Sequence, residues 1–287
     1  MAIQLIADSC CDTTPELKKR LGIRKAPLKV KVGERLFVDD DAIRVPELLA
    51  AMKAEKAGAS SACPSPEEFA AFMREAEECV VITLSAKLSG SYNAARVARD
   101  MVMEDFPEKK IHIFDSKSAA AGELLLALYL KARIDAGDDF ETLVQKGEAH
   151  IRRTHTLFVL EDLSNFVKSG RLNKVSGVVA SILSLCPVMG DDGNGEIRMV
   201  SKARGNRNAL SKMIDLIAQE TADVPGRTVR LVMTYCNCPE RAVKLRSDLL
   251  ERCPAIREVI MSPTGGLSTM YAGDGGIVIA YGADKAE

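Results

Sequence analysis

Tryptophan is absent from this 287-residue chain, histidine is confined to His112, His150 and His155, and aromatic residues make up only 5% of it. So few flat rings leave little from which to build a platform for stacking bases. An excess of charge of either sign is missing too: 39 Lys and Arg stand against 40 Asp and Glu. With no basic stripe or polybasic tail, nucleic acid and anionic membrane surfaces are not expected as the main partners. Long hydrophobic runs are also lacking. The longest, Leu124 to Leu130, is too short to cross a bilayer. The amino terminus, MAIQLIADS, reaches Asp8 without the basic region and long apolar core of a signal peptide. The expectation is a cytosolic (cytoplasmic) protein without stable membrane insertion.

Common enzyme signatures are missing as well. The sequence contains no G-x-x-x-x-G-K-[ST], no G-x-G-x-x-G opening a helix after a strand, and no G-x-S-x-G. Eight cysteines are present, but Cys236 and Cys238 have no second knuckle to complete a zinc site, so buried thiols are expected and no metal or cofactor. The run Asp39-Asp40-Asp41 reads as a solvated acidic turn rather than a magnesium site.

What is present is strand–helix alternation. Ile3–Ala7 reads as a strand, and a helix capped by Thr14, with Pro15 at its first position, ends at Gly22. Residues 26–44 read as short strands and turns, and Pro46 opens a helix closing near Gly58. Ser65-Pro66-Glu67-Glu68 carries a capping box. Strands at Val80–Leu84 and Ile111–Phe114 flank a helix from about Ser89–Ser91 to Asp105, and a long apolar helix covers Ala119–Ala136. After Thr156–Leu160 the texture changes. A hairpin at Cys186–Arg198 is followed by helices at Arg204–Thr221 and Pro239–Arg252 and by further strands. The expected fold class is α/β: a parallel-sheet amino-terminal domain, residues 1–155, with a smaller α+β carboxyl-terminal domain, residues 156–287.

Three segments have the chemistry of an anion site. Ser85-Ala86-Lys87-Leu88-Ser89-Gly90-Ser91 joins a strand to a helix start, where unpaired N–H groups suit a carboxylate or phosphate and Gly90 permits close approach. Ser60-Ser61-Ala62-Cys63 precedes the Ser65 cap, on the side of the sheet where α/β folds bind ligands. Lys168-Ser169-Gly170-Arg171 places a guanidinium after a helix end. Ordinary capping accounts equally well for the two serine-rich segments, and solvation for the lone arginine.

Taken together, these segments resemble the DegV family of bacterial fatty-acid-binding proteins. The resemblance runs almost end to end and rests on Asp8-Ser9, Pro64-Ser65-Pro66-Glu67-Glu68-Phe69, Leu88-Ser89-Gly90-Ser91-Tyr92, Asp115-Ser116, Lys168-Ser169-Gly170-Arg171-Leu172 and Lys202-Ala203-Arg204-Gly205. The resemblance implies a non-enzymatic carrier holding one long-chain fatty acid in an apolar tunnel, with the carboxylate between the domains. It implies a ligand site at Ser61, Ser89, Gly90, Ser91, Arg171 and Tyr271, and a contact at Arg204 with a fatty acid kinase in members that serve one. Three departures stand out. Ala62-Cys63 replaces the Ser-Gln of a T-S-Q motif, Cys186 replaces a lysine, and Tyr271 replaces a late histidine. An enzyme acting on an acyl or phosphoryl group, and a binder of another amphiphile, remain the alternatives.

Overall fold

The computed structural model describes residues 3–55, 58–172, 185–224, 226 and 228–283. Strands β1 (Gln4–Asp8), β2 (Arg24–Ala26), β6 (Glu78–Thr83) and β7 (Lys110–Asp115) form a parallel sheet in the order β2-β1-β6-β7. Helices α1 (Pro15–Leu21), α3 (Pro66–Arg74) and α4 (Ser91–Asp105) make the crossovers. Thr14 caps α1, and Ser65 and Glu68 form the expected capping box at α3. A second, antiparallel sheet of β3 (Lys29–Val32), β4 (Arg35–Val38) and β5 (Ala59–Ala62) lies beside α2 (Val45–Ala54).

The third sheet is mixed. It contains β8 (His155–Val159), β9 (Cys186–Asp191), β10 (Ile197–Ala203), β11 (Val229–Tyr235), β12 (Ile256–Pro263) and β13 (Ile277–Ala283), in the order β10-β9-β8-β13-β11-β12. Only β11 and β12 run parallel. The expected hairpin at 186–198 is present as β9–β10. Helices α8 (Asn206–Glu220) and α9 (Pro239–Arg252) cover this sheet, and short helices α7 (Ser164–Lys168) and α10 (Gly266–Ala272) lie in its connections. The α/β class, with a parallel sheet followed by a mixed one, is as the sequence predicts.

Helix α5 (Ala121–Asp135) binds the two large sheets together. Leu124, Leu125, Leu126 and Leu130 are essentially inaccessible, and their core cluster includes Leu5, Val80 and Ile82 of the parallel sheet together with Val232 and Ala280 of the mixed sheet. A helix covered on both sides needs no polar face, which accounts for its nearly unbroken apolar sequence. Helix α6 (Phe140–Ile151) packs behind it, and Gly147 allows that approach: a Cβ there would come within 2.6 Å of the Phe114 ring of β7 and 3.0 Å of Leu130 of α5.

Two segments differ from the sequence reading. Ser60 and Ser61, read from sequence only as preceding the Ser65 cap, belong to strand β5, with Ser61 opposite Val30 of β3. The long-range pairing partner is invisible to local spacing. The acidic corner is also not solvated throughout. Asp39 is buried and accepts from the Gly266 and Leu267 N–H groups at 2.6 and 3.0 Å and from Ser9 Oγ at 2.9 Å. Asp12 accepts from Gly265 N–H at 2.8 Å. Two carboxylates from the amino-terminal half thus satisfy the start of α10.

Burial pushes the Asp12 carboxyl up to about 7, against the N–H donor that favours its charge. A raised native value makes the associated stability complete below the unfolded value of about 4 and progressively lost as pH climbs to about 7. Equilibrium denaturation of Asp12→Asn is expected to show a flatter stability curve across that window, with the wild-type decline on the order of a few kcal/mol.

Candidate functional site

A cavity of about 330 Å³ opens between β5, the loop after β6, the start of α5, and the β8–β9–β13 face of the mixed sheet. That volume falls within the usual range for a small-molecule site. Its walls are largely apolar: Leu28, Leu84, Leu88, Ala119, Ala120, Phe158, Leu160, Phe166 and Val278 all contribute.

Polar groups enter from several segments far apart in sequence, the charged side chains of Lys117, Asp191 and Glu196 among them, and three of these segments carry the candidates Ser61, Ser89–Gly90 and Arg171. Ser61 and Cys63 come from the end of β5, Ser89 and Gly90 from the loop before α4, and Arg171 from the chain after α7. These segments touch in series. A Cβ on Gly90 would lie 3.3 Å from Cys63 Sγ, so a side chain there would press on the sulfur. Arg171 Nε donates to the Leu88 carbonyl at 3.2 Å, and its Nη1 to the Ser169 carbonyl at 2.6 Å. Gly170, at φ +75°, makes the left-handed turn that brings Arg171 back toward the cavity. Tyr271 also lines the cavity, and its ring lies 4.6 Å from that of Phe166 in α7.

Of the six candidate ligand residues, five line this cavity: Ser61, Ser89, Gly90, Arg171 and Tyr271. Ser91 is directed elsewhere. Its side chain is buried, and its Oγ donates to Asp8 Oδ2 at 2.5 Å. The Ser89 hydroxyl accepts from the Ser91 N–H at 3.2 Å. Gly90 sits at the cap position of α4, where no side-chain capping bond is made. Arg204 is exposed at the end of β10, away from the cavity lining.

Several residues that spacing could not reveal also line the cavity. Ser118 and Thr156 share a hydrogen bond at 2.7 Å between buried hydroxyls. Cys10 presents its thiol, which burial pushes well above the ordinary range, so it stays protonated. Ala120 adopts φ +53°, an uncommon conformation for a residue with a side chain, and its N–H donates to Cys10 Sγ at 3.4 Å. The motif Asp8-Ser9 held the one available signal, because a polar pair ending an apolar strand is out of place unless it bonds something.

No helix among the described residues is long and apolar enough to cross a membrane. Cys236 and Cys238 are buried thiols bonded to Thr269 Oγ1 and the Gly276 carbonyl, both at 3.8 Å.

Comparison with known proteins places these features in context. A solved DegV-family structure from Ruminococcus gnavus, refined with vaccenic acid, is 39% identical, covers 98% of this chain and 99% of its own, and superimposes with a TM-score of 0.91. The Fatty Acid Kinase (Fak) B3 protein of Streptococcus pneumoniae, loaded with linoleic acid, is 31% identical over 99% of this chain and 100% of its own, with a TM-score of 0.88. A DegV domain-containing protein of Streptococcus pneumoniae is 33% identical, covering 99% of this chain and all of its own length. Residues 2–283 match the description "Uncharacterised protein, DegV family", and the chain belongs to that family.

Proposed function

We propose that this protein is a non-enzymatic carrier that binds one long-chain fatty acid, with the acyl tail in the apolar cavity and the carboxylate at Ser61, the Ser89–Gly90 loop, Arg171 and Tyr271. The observation that carries this reading is the cavity's composition: an apolar lining that also holds the Ser61 and Ser89 hydroxyls and the Arg171 guanidinium, the last bonded to the Ser89–Gly90 loop through the Leu88 carbonyl. Burying about 14 methylenes contributes on the order of 11 kcal/mol before association costs are subtracted. A bare carboxylate would oppose that burial, and the Arg171 charge and the serine donors offset its desolvation. Vaccenic and linoleic acids in the two related structures point to the same ligand class.

The chemistry of the wall supports binding over turnover. Among the described residues, no imidazole or carboxylate hydrogen-bonds the hydroxyl of Ser61 or Ser89. His112 contacts Glu148, His150 stacks on Tyr129, and His155 lies beside Tyr281. Acyl or phosphoryl transfer from either serine would lack its general base. The amino-terminal unit, 1–155, and the carboxyl-terminal unit, 156–287, each supply part of the wall, which would place the ligand between them. Arg204, exposed and outside the cavity lining, is suited to meet a fatty acid kinase, as the kinship with Fak B3 suggests.

Native mass spectrometry of freshly purified protein, followed by organic extraction, is expected to release a long-chain fatty acid; a ligand without an acyl chain would overturn the proposal. In a fluorescent fatty-acid displacement assay, Arg171→Ala should weaken binding by about 1.5–3 kcal/mol, the range for a hydrogen bond to a charged group. Ala119→Phe should narrow the bore, abolishing octadecanoic acid binding while sparing shorter acids. Arg204→Glu should leave fatty-acid affinity unchanged and reduce acyl phosphate formation when a fatty acid kinase and ATP are supplied.

A further inference from the structure

Beside the cavity lies a second polar cluster, of which Cys10 reaches the lining and the carboxyl groups do not. Asp8, the last residue of β1, is inaccessible and holds three donors. Cys10 N–H reaches Oδ1 at 3.1 Å, while Leu84 N–H and Ser91 Oγ reach Oδ2 at 3.0 and 2.5 Å. Leu84 follows β6 and Ser91 opens α4, so Asp8 clamps both ends of the loop that carries Leu88, Ser89 and Gly90. On the other side is Glu123, in the first turn of α5. It too is inaccessible, and neither of its oxygens meets a hydrogen-bond donor. Carboxylate oxygens of Asp8 and Glu123 and the sulfur of Cys10 all lie within 4.8 Å of one another.

Two buried carboxylates this close cannot both keep a negative charge without a cation. The groups facing Glu123 are Asp8, Cys10, Cys11 and Asp12, and none is cationic. Lys25 donates instead to the Cys11 carbonyl, at 3.4 Å. A metal ion is the rival occupant, and Glu123 has lone pairs to give it; but Asp8 already accepts three hydrogen bonds and the Cys10 sulfur accepts from Ala120 N–H at 3.4 Å, so a single proton on the carboxyl pair disturbs the fewest contacts.

We infer that Glu123 is a neutral carboxylic acid that donates its proton to Asp8, and that this acid–carboxylate pair positions the Ser89–Gly90 loop for the ligand's head group. Asp8 takes the charge because three other donors already stabilise it; Glu123, with none, takes the proton. Burial and then the Asp8 charge push the Glu123 carboxyl well above its ordinary range; burial raises Asp8 too, but there the bonds from Ser91, Leu84 and Cys10 counter it. Glu123 is thus a positioning residue, acting on the ligand through Asp8 and the loop.

The assignment of the proton stands apart from the fatty-acid reading; only the role of the pair rests on it. Infrared spectroscopy of wild-type protein labelled with ¹³C-glutamate at pH 8 should show a protonated-carboxyl C=O band that shifts with the label and disappears in Glu123→Gln. In displacement assays with cis-parinaric acid, Glu123→Gln, which retains a donor, should bind within about threefold of wild type, whereas Glu123→Leu should lose about tenfold or more. Raising the pH should weaken the wild type as Glu123 ionises and leave Glu123→Gln flat. If Glu123→Leu fails to fold, the band and the Gln variant still decide the matter. Absence of the band, a stoichiometric metal in the purified protein, or a Gln variant as impaired as the Leu variant would overturn the inference. A band present in a protein that binds no cis-parinaric acid would instead refute the carrier reading and the positioning role together, leaving the proton on Glu123.

Discussion

Three buried carboxylates, Asp8 and Asp39 at strand ends and Asp12 in the loop after β1, tie together segments far apart in sequence. Asp8 gathers backbone and hydroxyl donors from the end of β6 and the start of α4. Asp39 and Asp12 take the first N–H groups of α10, more than two hundred residues away in sequence. A buried charge in a protein interior is tolerable only where several donors surround it, a condition that Asp8 and Asp39 meet with three donors each and that Asp12, with one, does not. That requirement fixes where each donor-bearing segment must lie. The loops that border the cavity are therefore held by polar contacts whose loss would leave charges stranded, and the cavity wall inherits their geometry.

Around this polar framework the apolar packing is continuous. Helix α5 lies between the parallel and mixed sheets, and one core cluster includes residues from both. The cavity occupies the part of this junction where small residues, Ala119 and Ala120, replace the leucines that follow them in α5. The place where the chain stops filling its own interior is the place left open for another molecule.

Much of the fold was legible because local rules agree with the global structure. The Ser65–Glu68 box, the Thr14 cap and the apolar stretch of α5 each declare themselves within a few residues. The site was legible only in pieces. Hydroxyls at Ser61 and Ser89 and the guanidinium of Arg171 could be picked out by chemistry, but not their convergence, which depends on strand pairing and on the turn at Gly170. Ser61 in particular looks like loop because β5 is short and polar, and its strand character comes from β3. Ser91 could not be distinguished from Ser89 by spacing; its bond to Asp8 bridges 83 positions. Asp39 resembled a solvated turn for the same reason, because the helix end it serves is formed near the far end of the chain.

The conformation of Ala120 limits what variation can do to the cavity. At φ +53° this residue stands where β-branched and bulky side chains are strongly disfavoured, and its N–H is tied to Cys10. At that point the width of the bore is set by main chain and is closed to adjustment by swapping side chains. Side-chain exchange can still reshape the cavity at its other lining positions, among them Ala119 and, on the mixed sheet, Phe158 and Val278.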